Sequence, residues 1–284
     1  MTVTFWGTRG SGAAAGRDYV EFGGDTSCVS VEWGSQLAVF DAGTGIGRLG
    51  EALAGRGFSG ELHLFLSHFH LDHICGLPLS GLVFCPGARL HIYGMGADPG
   101  AVQSCISQVL SPPYWPVGPD GYKANVIWHD LKPDETGKPL LVRLENKVPG
   151  SFPDLGWQVQ ALGGNHPDGG LIYRLEAAGR SVVYGLDCEL PEDFWPVYED
   201  FAKSADLLIF DAAYTQEEYP SVKGFGHATW QQGVRMAEST GAARTVLIHH
   251  RWERTDGELE ALDRTVRSRS SKVCFGRDGM KILL

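Results

Sequence analysis

The segment Ser67–His73 constrains this 284-residue chain more than any other feature, because it concentrates four candidate metal ligands in six positions. The ligands are His68, His70, Asp72 and His73. They directly follow a strand-like apolar run, Leu62–Leu66. Imidazole and carboxylate groups suit zinc, manganese and iron, and four donors are enough to serve two ions. The chain has only ten histidines, so three within six positions predict a metal site rather than a histidine-rich surface loop.

The composition is that of a globular protein with a sizeable core, since 43% of the residues are hydrophobic. No run of about 18 apolar residues occurs, so no transmembrane helix is expected, and the N-terminus lacks the pattern of a signal peptide. The six cysteines never form a Cys-x-x-Cys pair, which argues against a disulfide framework or a zinc ribbon. We therefore expect a cytoplasmic protein.

The net charge narrows the expected partners. With 24 basic and 34 acidic residues, the formal charge is −10, which disfavours electrostatic binding to a long nucleic acid or an acidic membrane. A cationic metal pocket would still attract a small anion. A small phosphate ester is therefore the expected substrate class.

Short apolar runs bounded by Gly, Pro, Asp or Asn predict strands. They lie at 2–6, 28–33, 37–40, 62–66, 89–93, 157–162, 171–176, 181–184, 207–210, 245–248 and 272–275. Apolar spacing predicts helices at 46–56, 100–110, 230–240 and 258–269. The Pro- and Gly-rich stretch at about 111–156 is expected to be an insertion over the fold. We therefore expect one α/β domain over residues 1–284.

Further candidate site residues stand where predicted strands end or a predicted helix begins. They are His166, Asp187, His227 and the pair His249–His250. A strand end holds a side chain rigidly while leaving it exposed, which suits a preorganised site. Successive residues of a strand point to opposite faces, so we expect only one of His249 and His250 to face the site. We favour His249 and keep His250 as the alternative.

With these residues in order, the chain resembles the metallo-β-lactamase superfamily. The matching positions are Asp41, the His68–His73 motif, His166, Asp187 and His249, which span almost the whole chain. Other motifs are similar to the branch that contains the tRNA-processing enzyme RNase Z and cyclic phosphodiesterases. These are Gly7-Thr8-Arg9-Gly10-Ser11, Gly23-Gly24-Asp25-Thr26-Ser27-Cys28 and Gly226-His227-Ala228-Thr229. Asp25 departs from that branch, which more often has Asn.

The resemblance implies a four-layer αββα sandwich with two divalent ions along one edge. One ion would be held by His68, His70 and His166. The second ion would be held by Asp72, His73 and His249. Asp187 would bridge both ions, Asp41 would orient a ligand through a hydrogen bond, and His250 would lie beside the ligands. Zinc is the favoured metal, with manganese or iron as alternatives.

The implied reaction is hydrolysis of a phosphodiester. Two ions roughly 3.5–4 Å apart can share a hydroxide that attacks phosphorus near neutral pH. By analogy with the branch, His227 would protonate the leaving alkoxide, and Asp72 is the other residue assigned to catalysis. The leading prediction is a metal-dependent phosphodiesterase acting on a small cyclic nucleotide or cyclic phosphate ester.

Alternatives remain open on the same site. It could hydrolyse a lactone or another ester, or it could cut tRNA at its 3′ end. The tRNA alternative is disfavoured because stretch 111–156 has acidic residues at least as numerous as basic ones, unlike a basic tRNA-gripping arm. A non-catalytic metal-binding carrier or sensor is the alternative from another class. Homodimerisation is suggested by the branch alone.

Overall fold

The computed structural model describes residues 1–134, 137–143 and 156–284. Its strands are β1 (Thr2–Gly7), β2 (Arg9–Gly10), β3 (Cys28–Trp33), β4 (Gln36–Phe40), β5 (Glu61–Phe65), β6 (Arg89–Met95), β7 (Asn125–Leu131), β8 (Leu140–Arg143), β9 (Gln158–Gly164), β10 (Gly170–Ala177), β11 (Arg180–Gly185), β12 (Leu207–Asp211), β13 (Thr245–Ile248), β14 (His250–Arg251), β15 (Val273–Phe275) and β16 (Lys281–Leu283). Its helices are α1 (Ile46–Gly55), α2 (Leu71–Ile74), α3 (Ala101–Val109), α4 (Trp195–Ala202), α5 (Tyr219–Val222), α6 (Trp230–Thr240) and α7 (Asp256–Arg269).

The strands form two seven-stranded sheets and one short pair. The first sheet has the order β16-β1-β3-β4-β5-β6-β7, and the second has the order β15-β13-β12-β11-β10-β9-β8. Strands β4 to β7 run parallel, as do β11, β12, β13 and β15. The short pair, β2 with β14, brings the loop after β1 next to the end of β13.

The two sheets pack face to face around a shared apolar core. Phe40 and Phe65 from the first sheet and Tyr173 and Ile209 from the second are fully buried there. Burial of each such side chain contributes about 1.5–3 kcal/mol. Because the sheets share this core, we keep the interpretation that residues 1–284 form one domain.

Helices cover both outer faces of the sheets. Leu49 of α1 and Ile106 of α3 pack on the first sheet. Tyr198 of α4, Met236 of α6 and Val266 of α7 pack on the second. The layers are therefore helix, sheet, sheet and helix, and the predicted αββα sandwich is confirmed. Among the described residues, none of the helices combines the length and apolarity needed to cross a bilayer.

A reciprocal cap starts α6 and fixes the segment that precedes it. The Thr229 side chain accepts from the Gln232 backbone N–H at 3.2 Å, and the Gln232 side chain accepts from the Thr229 N–H at 2.9 Å. Such a capping box satisfies two backbone donors at once. His227 lies two residues before this cap, so its backbone position is tied to the helix start.

The stretch at about 111–156, which we expected to be an insertion, contributes a strand to each sheet where the structure describes it. Residues 125–131 form β7, an edge strand of the first sheet, and residues 140–143 form β8, an edge strand of the second. Most β7 side chains are only half-buried, so polar residues interrupt the apolar pattern that identifies interior strands. The same stretch also includes residues 135–136 and 144–155, which lie outside the described residues.

Candidate active site

The candidate ligands lie at the carboxyl ends of strands in both sheets. Asp41 follows β4 and His68 follows β5 in the first sheet. Asp187 follows β11 and His249 follows β13 in the second. Asp41, Asp187 and His249 have φ angles of 60°, 49° and 64°, an uncommon backbone for residues other than glycine. Such positions cluster at functional sites, which marks this edge as the candidate active site.

Three histidines form the first ligand group. They are His68, His70 and His166, whose candidate ligand nitrogens all lie within 4.8 Å of one another. Nε2 of His166 is 3.3 Å from Nδ1 of His70. Nδ1 of His166 is 3.1 Å from the Gly226 carbonyl oxygen, a contact that orients the ring and leaves Nε2 for an ion. Gly226 has a φ of 85°, and a Cβ there would overlap His166, so only glycine fits beside this ring.

Asp72, His73 and His249 form the second ligand group. Nε2 of His73 is 3.1 Å from Asp72 Oδ2 and 3.3 Å from His249 Nε2. The backbone N–H of Ser11 donates to Asp72 Oδ2 at 2.7 Å. Gly10 lies against the His249 ring, because a Cβ at Gly10 would overlap that ring. The loop after β1 therefore positions two members of this group.

Asp187 lies between the two groups. Its Oδ2 is 3.3 Å from His73 Nε2 and 3.2 Å from His249 Nε2, while its Oδ1 is 3.9 Å from His68 Nε2. Asp187 Oδ2 and His68 Nε2 are buried without a hydrogen-bond partner, which is uncommon for polar atoms. These two unsatisfied ligand atoms, one beside each ligand group, fit divalent cations. The Asp187 carboxylate would therefore be able to contact an ion in each ligand group.

The carboxylates of this site are held in their ionised form. Burial alone would raise the pKa of Asp72 and of Asp187. The neighbouring His73 and His249 outweigh burial and hold the pKa of both carboxyls well below the usual range. Ionised carboxylates are the form that binds metal, so the chemistry of the donor set fits a divalent ion.

Asp41 is a buried hydrogen-bond acceptor behind the second group. It accepts from the Ser67 backbone N–H at 2.7 Å, from the Ser67 hydroxyl at 2.8 Å and from the Tyr184 hydroxyl at 2.8 Å. Its Oδ2 is also 2.7 Å from Nδ1 of His73. A carboxylate in this position orients the imidazole and raises its basicity toward a metal.

The neighbouring residues His249 and His250 face different surroundings. His249 points its Nε2 at Asp72 and Asp187. The ring of His250 instead has Nε2 2.9 Å from the Gly276 carbonyl oxygen, and burial lowers its pKa to about 3. The structure thus places His249 with the ligands, while His250 holds the strand against Gly276 and does not lie among them.

Asp211 is a site residue that the sequence interpretation missed. It ends β12, and its Oδ2 is 2.9 Å from Nδ1 of His227. Its Oδ1 accepts the Ala213 backbone N–H at 2.9 Å, which fixes the carboxylate. His227 also lies 3.6 Å from Asp187 Oδ1. Burial opposes a charged ring, yet Asp211 and Asp187 together raise the pKa of His227 to about 9. Without bound ions, the charged form of this imidazole is therefore the favoured one.

The comparisons with known proteins agree with this geometry. Residues 120–250 match the family model of the beta-lactamase superfamily domain. The ribonuclease Z of Halorubrum lacusprofundi is 29% identical over 88% of this chain and 86% of its own length. The ribonuclease Z of Thermoplasma volcanium is 28% identical over 68% of this chain and 71% of its own length.

Solved structures share the fold across the whole chain. The metallo-beta-lactamase fold protein YhfI from Bacillus subtilis has a TM-score of 0.69 at 22% identity and covers 99% of this chain and 98% of its own. The short form of human tRNase Z has a TM-score of 0.69 at 20% identity and covers 100% and 99%. These likenesses establish the metallo-β-lactamase fold.

The fold, the donor set and the sequence matches support a metal-dependent hydrolase that is similar to the beta-lactamase superfamily. The sequence is similar to ribonuclease Z, so the predicted resemblance is confirmed. The expectation that a long nucleic acid is a disfavoured partner conflicts with these relatives, which are named as ribonucleases. A cytoplasmic location and a homodimer stay predictions.

Proposed function

We propose that this chain hydrolyses phosphodiester bonds in RNA, with the 3′ end of a tRNA precursor as the first candidate substrate. The observation that carries the proposal is the His227–Asp211 pair beside the two ligand groups. The names of the relatives support RNA as the substrate. They favour this alternative over a small cyclic phosphate ester, the leading prediction from the sequence.

Two ligand groups joined by one carboxylate support a site for two ions, with zinc as the first candidate. The first ion would be held by His68, His70 and His166. The second would be held by Asp72, His73 and His249, with Asp187 contacting both. When bound, such ions supply an acidified water as nucleophile and neutralise charge on the phosphoryl oxygens.

His227 supplies what the ligand groups lack, a proton for the leaving oxygen. A ribose oxygen leaves as a strongly basic alkoxide unless it is protonated. Asp211 occupies Nδ1 of His227, so Nε2 is the nitrogen that can donate. General acids of this type accelerate reactions by about 10²–10⁴-fold. An imidazole held by a carboxylate is oriented for this role in the same way as other catalytic histidines.

A cavity beside the first ligand group offers room for part of the substrate. Its volume is about 750 Å³, and its lining includes His166, Pro167, Tyr219 and Lys223. Ligand pockets of roughly 300–1,000 Å³ hold molecules of drug or nucleotide size. The same lining carries Lys223 together with Glu189 and Glu192, so its charge does not by itself favour a phosphate.

A small cyclic phosphodiester is the second candidate substrate. His166 and Asp187 are connected by the hairpin of β10 and β11, whose turn is Ala178–Gly179, so no extended arm leaves the fold between these ligands. The net charge of −10 also contrasts with the basic surfaces that grip long RNA. Both observations favour a substrate that fits within the cleft.

A direct comparison of the two substrates tests the proposal. Zinc-loaded wild type and His68→Ala would be incubated with a tRNA precursor that carries a 3′ trailer, and with 2′,3′-cyclic mononucleotides. We expect endonucleolytic removal of the trailer by wild type and its loss in the variant. Hydrolysis of the cyclic nucleotides alone would instead support a small cyclic phosphodiester, the second candidate substrate. Failure on both substrates would contradict phosphodiesterase activity.

A further inference from the structure

A second cluster of metal-type ligands lies in the first sheet, away from the active-site edge. Its members are Glu61 and His63 on β5 and His91 on β6, whose candidate ligand atoms all lie within 4.8 Å of one another. β5 and β6 are parallel, and His63 pairs with His91 in register. Glu61 begins β5, whereas His68 follows the end of that strand, five residues after His63. The cluster is therefore separate from the active-site ligands.

The two histidines present the same nitrogen to the carboxylate. Nε2 of His91 is 2.6 Å from Glu61 Oε1, and Nε2 of His63 is 3.8 Å from the same atom. Their opposite nitrogens are occupied: Nδ1 of His63 is 3.1 Å from the Tyr93 hydroxyl, and Nδ1 of His91 is 3.0 Å from Nε2 of His129. Metal-ligating histidines are oriented in this way by a partner on the nitrogen that faces away from the ion.

The contact between His91 and Glu61 is short. Nε2 of His91 lies 2.6 Å from Glu61 Oε1, a hydrogen-bonding distance, so Glu61 is the partner of this nitrogen when no ion is bound. The rings of His63 and His91 stack with centroids 4.7 Å apart and planes 17° apart, which fixes the direction of both Nε2 atoms.

We propose that Glu61, His63 and His91 bind one divalent transition-metal ion that is distinct from the active-site ions. Two imidazoles and one carboxylate select the zinc class over magnesium or calcium, which prefer oxygen donors. Three protein donors leave one position of a tetrahedral ion open. The partly exposed Glu61 side chain provides the route by which an ion enters. Such an ion would join β5 to β6 at the end of the sheet remote from the catalytic edge.

Counting bound ions tests this proposal without relying on any enzymatic activity. The chelator-stripped full chain would be reloaded with Zn²⁺, desalted and analysed for zinc per chain. Glu61→Gln keeps the side-chain shape and removes the charge, and His91→Ala removes a ligand. Glu51→Gln, on the exposed face of α1, is the matched control. We expect both site variants to lose one zinc per chain relative to wild type and the control to lose none.

An unchanged zinc count in Glu61→Gln would overturn the proposal and leave the cluster as a hydrogen-bonded chain from Glu61 through His91 to His129. Because Glu61 is partly exposed, this variant decides the question even if His91→Ala fails to fold.

Trp157 gives a second measurement, because its ring centroid is 4.9 Å from that of His63. Co²⁺ bound at the cluster would quench Trp157 emission in wild type, and Glu61→Gln or Trp157→Phe would lose that part of the quenching. Equal quenching in wild type and both variants would contradict the site.

Discussion

Nδ1 of His73 lies 2.7 Å from the buried carboxylate of Asp41, while Nε2 of the same ring lies 3.1 Å from Asp72. One imidazole thus connects a carboxylate that has no exposed surface to the group that would hold an ion. The charge and geometry of Asp41 would therefore act on a bound ion through His73.

Asp41→Asn should weaken metal binding by about 10–100-fold, because partners that orient a metal-binding histidine typically contribute that much. The amide also places an NH₂ group among donors from Ser67 and Tyr184, which lowers stability. Tyr184→Phe is the matched control, since it removes one hydrogen bond and keeps the carboxylate charge. Zinc competition with a chromophoric chelator measures both variants. Equal affinities of wild type and Asp41→Asn would disprove the orienting role.

Gly10→Ala should lower activity by about 100-fold, because small displacements of a reacting group cost about that factor. The added Cβ would overlap the ring of His249 and push it from the ligand group. Gly47→Ala is the matched control, since a Cβ on Gly47 meets nothing within 4 Å. Steady-state kinetics and zinc content, with circular dichroism to monitor folding, would report the effect. Normal zinc content in Gly10→Ala would be incompatible with this contact.

Asp25→Asn should stabilise the metal-free protein above pH 6 by up to about 1 kcal/mol. Burial, with a contribution from Asp25, raises the pKa of Asp278 to about 6. Because this folded-state value lies above the ordinary one, near 3.9, the stability gained by protonation is complete below about pH 4. It is lost as the pH rises toward 6. Removing the Asp25 charge reduces that loss.

Urea unfolding at pH 5 and pH 7.5 measures the effect of Asp25→Asn, with the exposed Asp18→Asn as control. The gain should shrink at pH 5, where Asp278 is largely protonated. A gain of the same size at both pH values would show that repulsion between Asp25 and Asp278 is not its cause.

The sequence singled out most of the residues that the structure brings together at the candidate site, because they stand at strand ends. An apolar run precedes each of four candidate ligands, namely His68, His166, Asp187 and His249. Apolar runs are the pattern that identifies the strands of a sandwich core most clearly. Parallel strands carry their carboxyl ends to one edge, so linear order was sufficient to bring these residues together. The choice between His249 and His250 required the backbone conformation. The φ of 64° at His249 departs from a strand, so the side chains there do not simply alternate between the two faces of the sheet.

Asp211 could have been found by the same rule. It directly follows the predicted strand 207–210, but no motif drew attention to a single aspartate there. Its contact with His227 depends on the loop between β12 and α6, which residue spacing does not encode. The sequence therefore showed that Asp211 stands at a strand end, but it did not show that Asp211 contacts His227.

Edge strands and dispersed clusters were harder to predict. β7 carries His129 and Asp130 among apolar residues, and its half-buried face gives a weak pattern. Glu61, His63 and His91 were unremarkable in sequence because they lie on two strands separated by 28 positions from His63 to His91. Only the parallel register of β5 and β6 brings them together.

The most direct test of the account is the leaving-group dependence of His227→Ala. The metal-loaded variant and wild type would be compared on bis(p-nitrophenyl) phosphate, whose leaving group needs no proton, and on an RNA phosphodiester. We expect His227→Ala to lose about 10²–10⁴-fold on RNA and less than about tenfold on the nitrophenyl ester. Equal losses on both substrates, or undiminished cleavage of RNA, would contradict proton donation by His227.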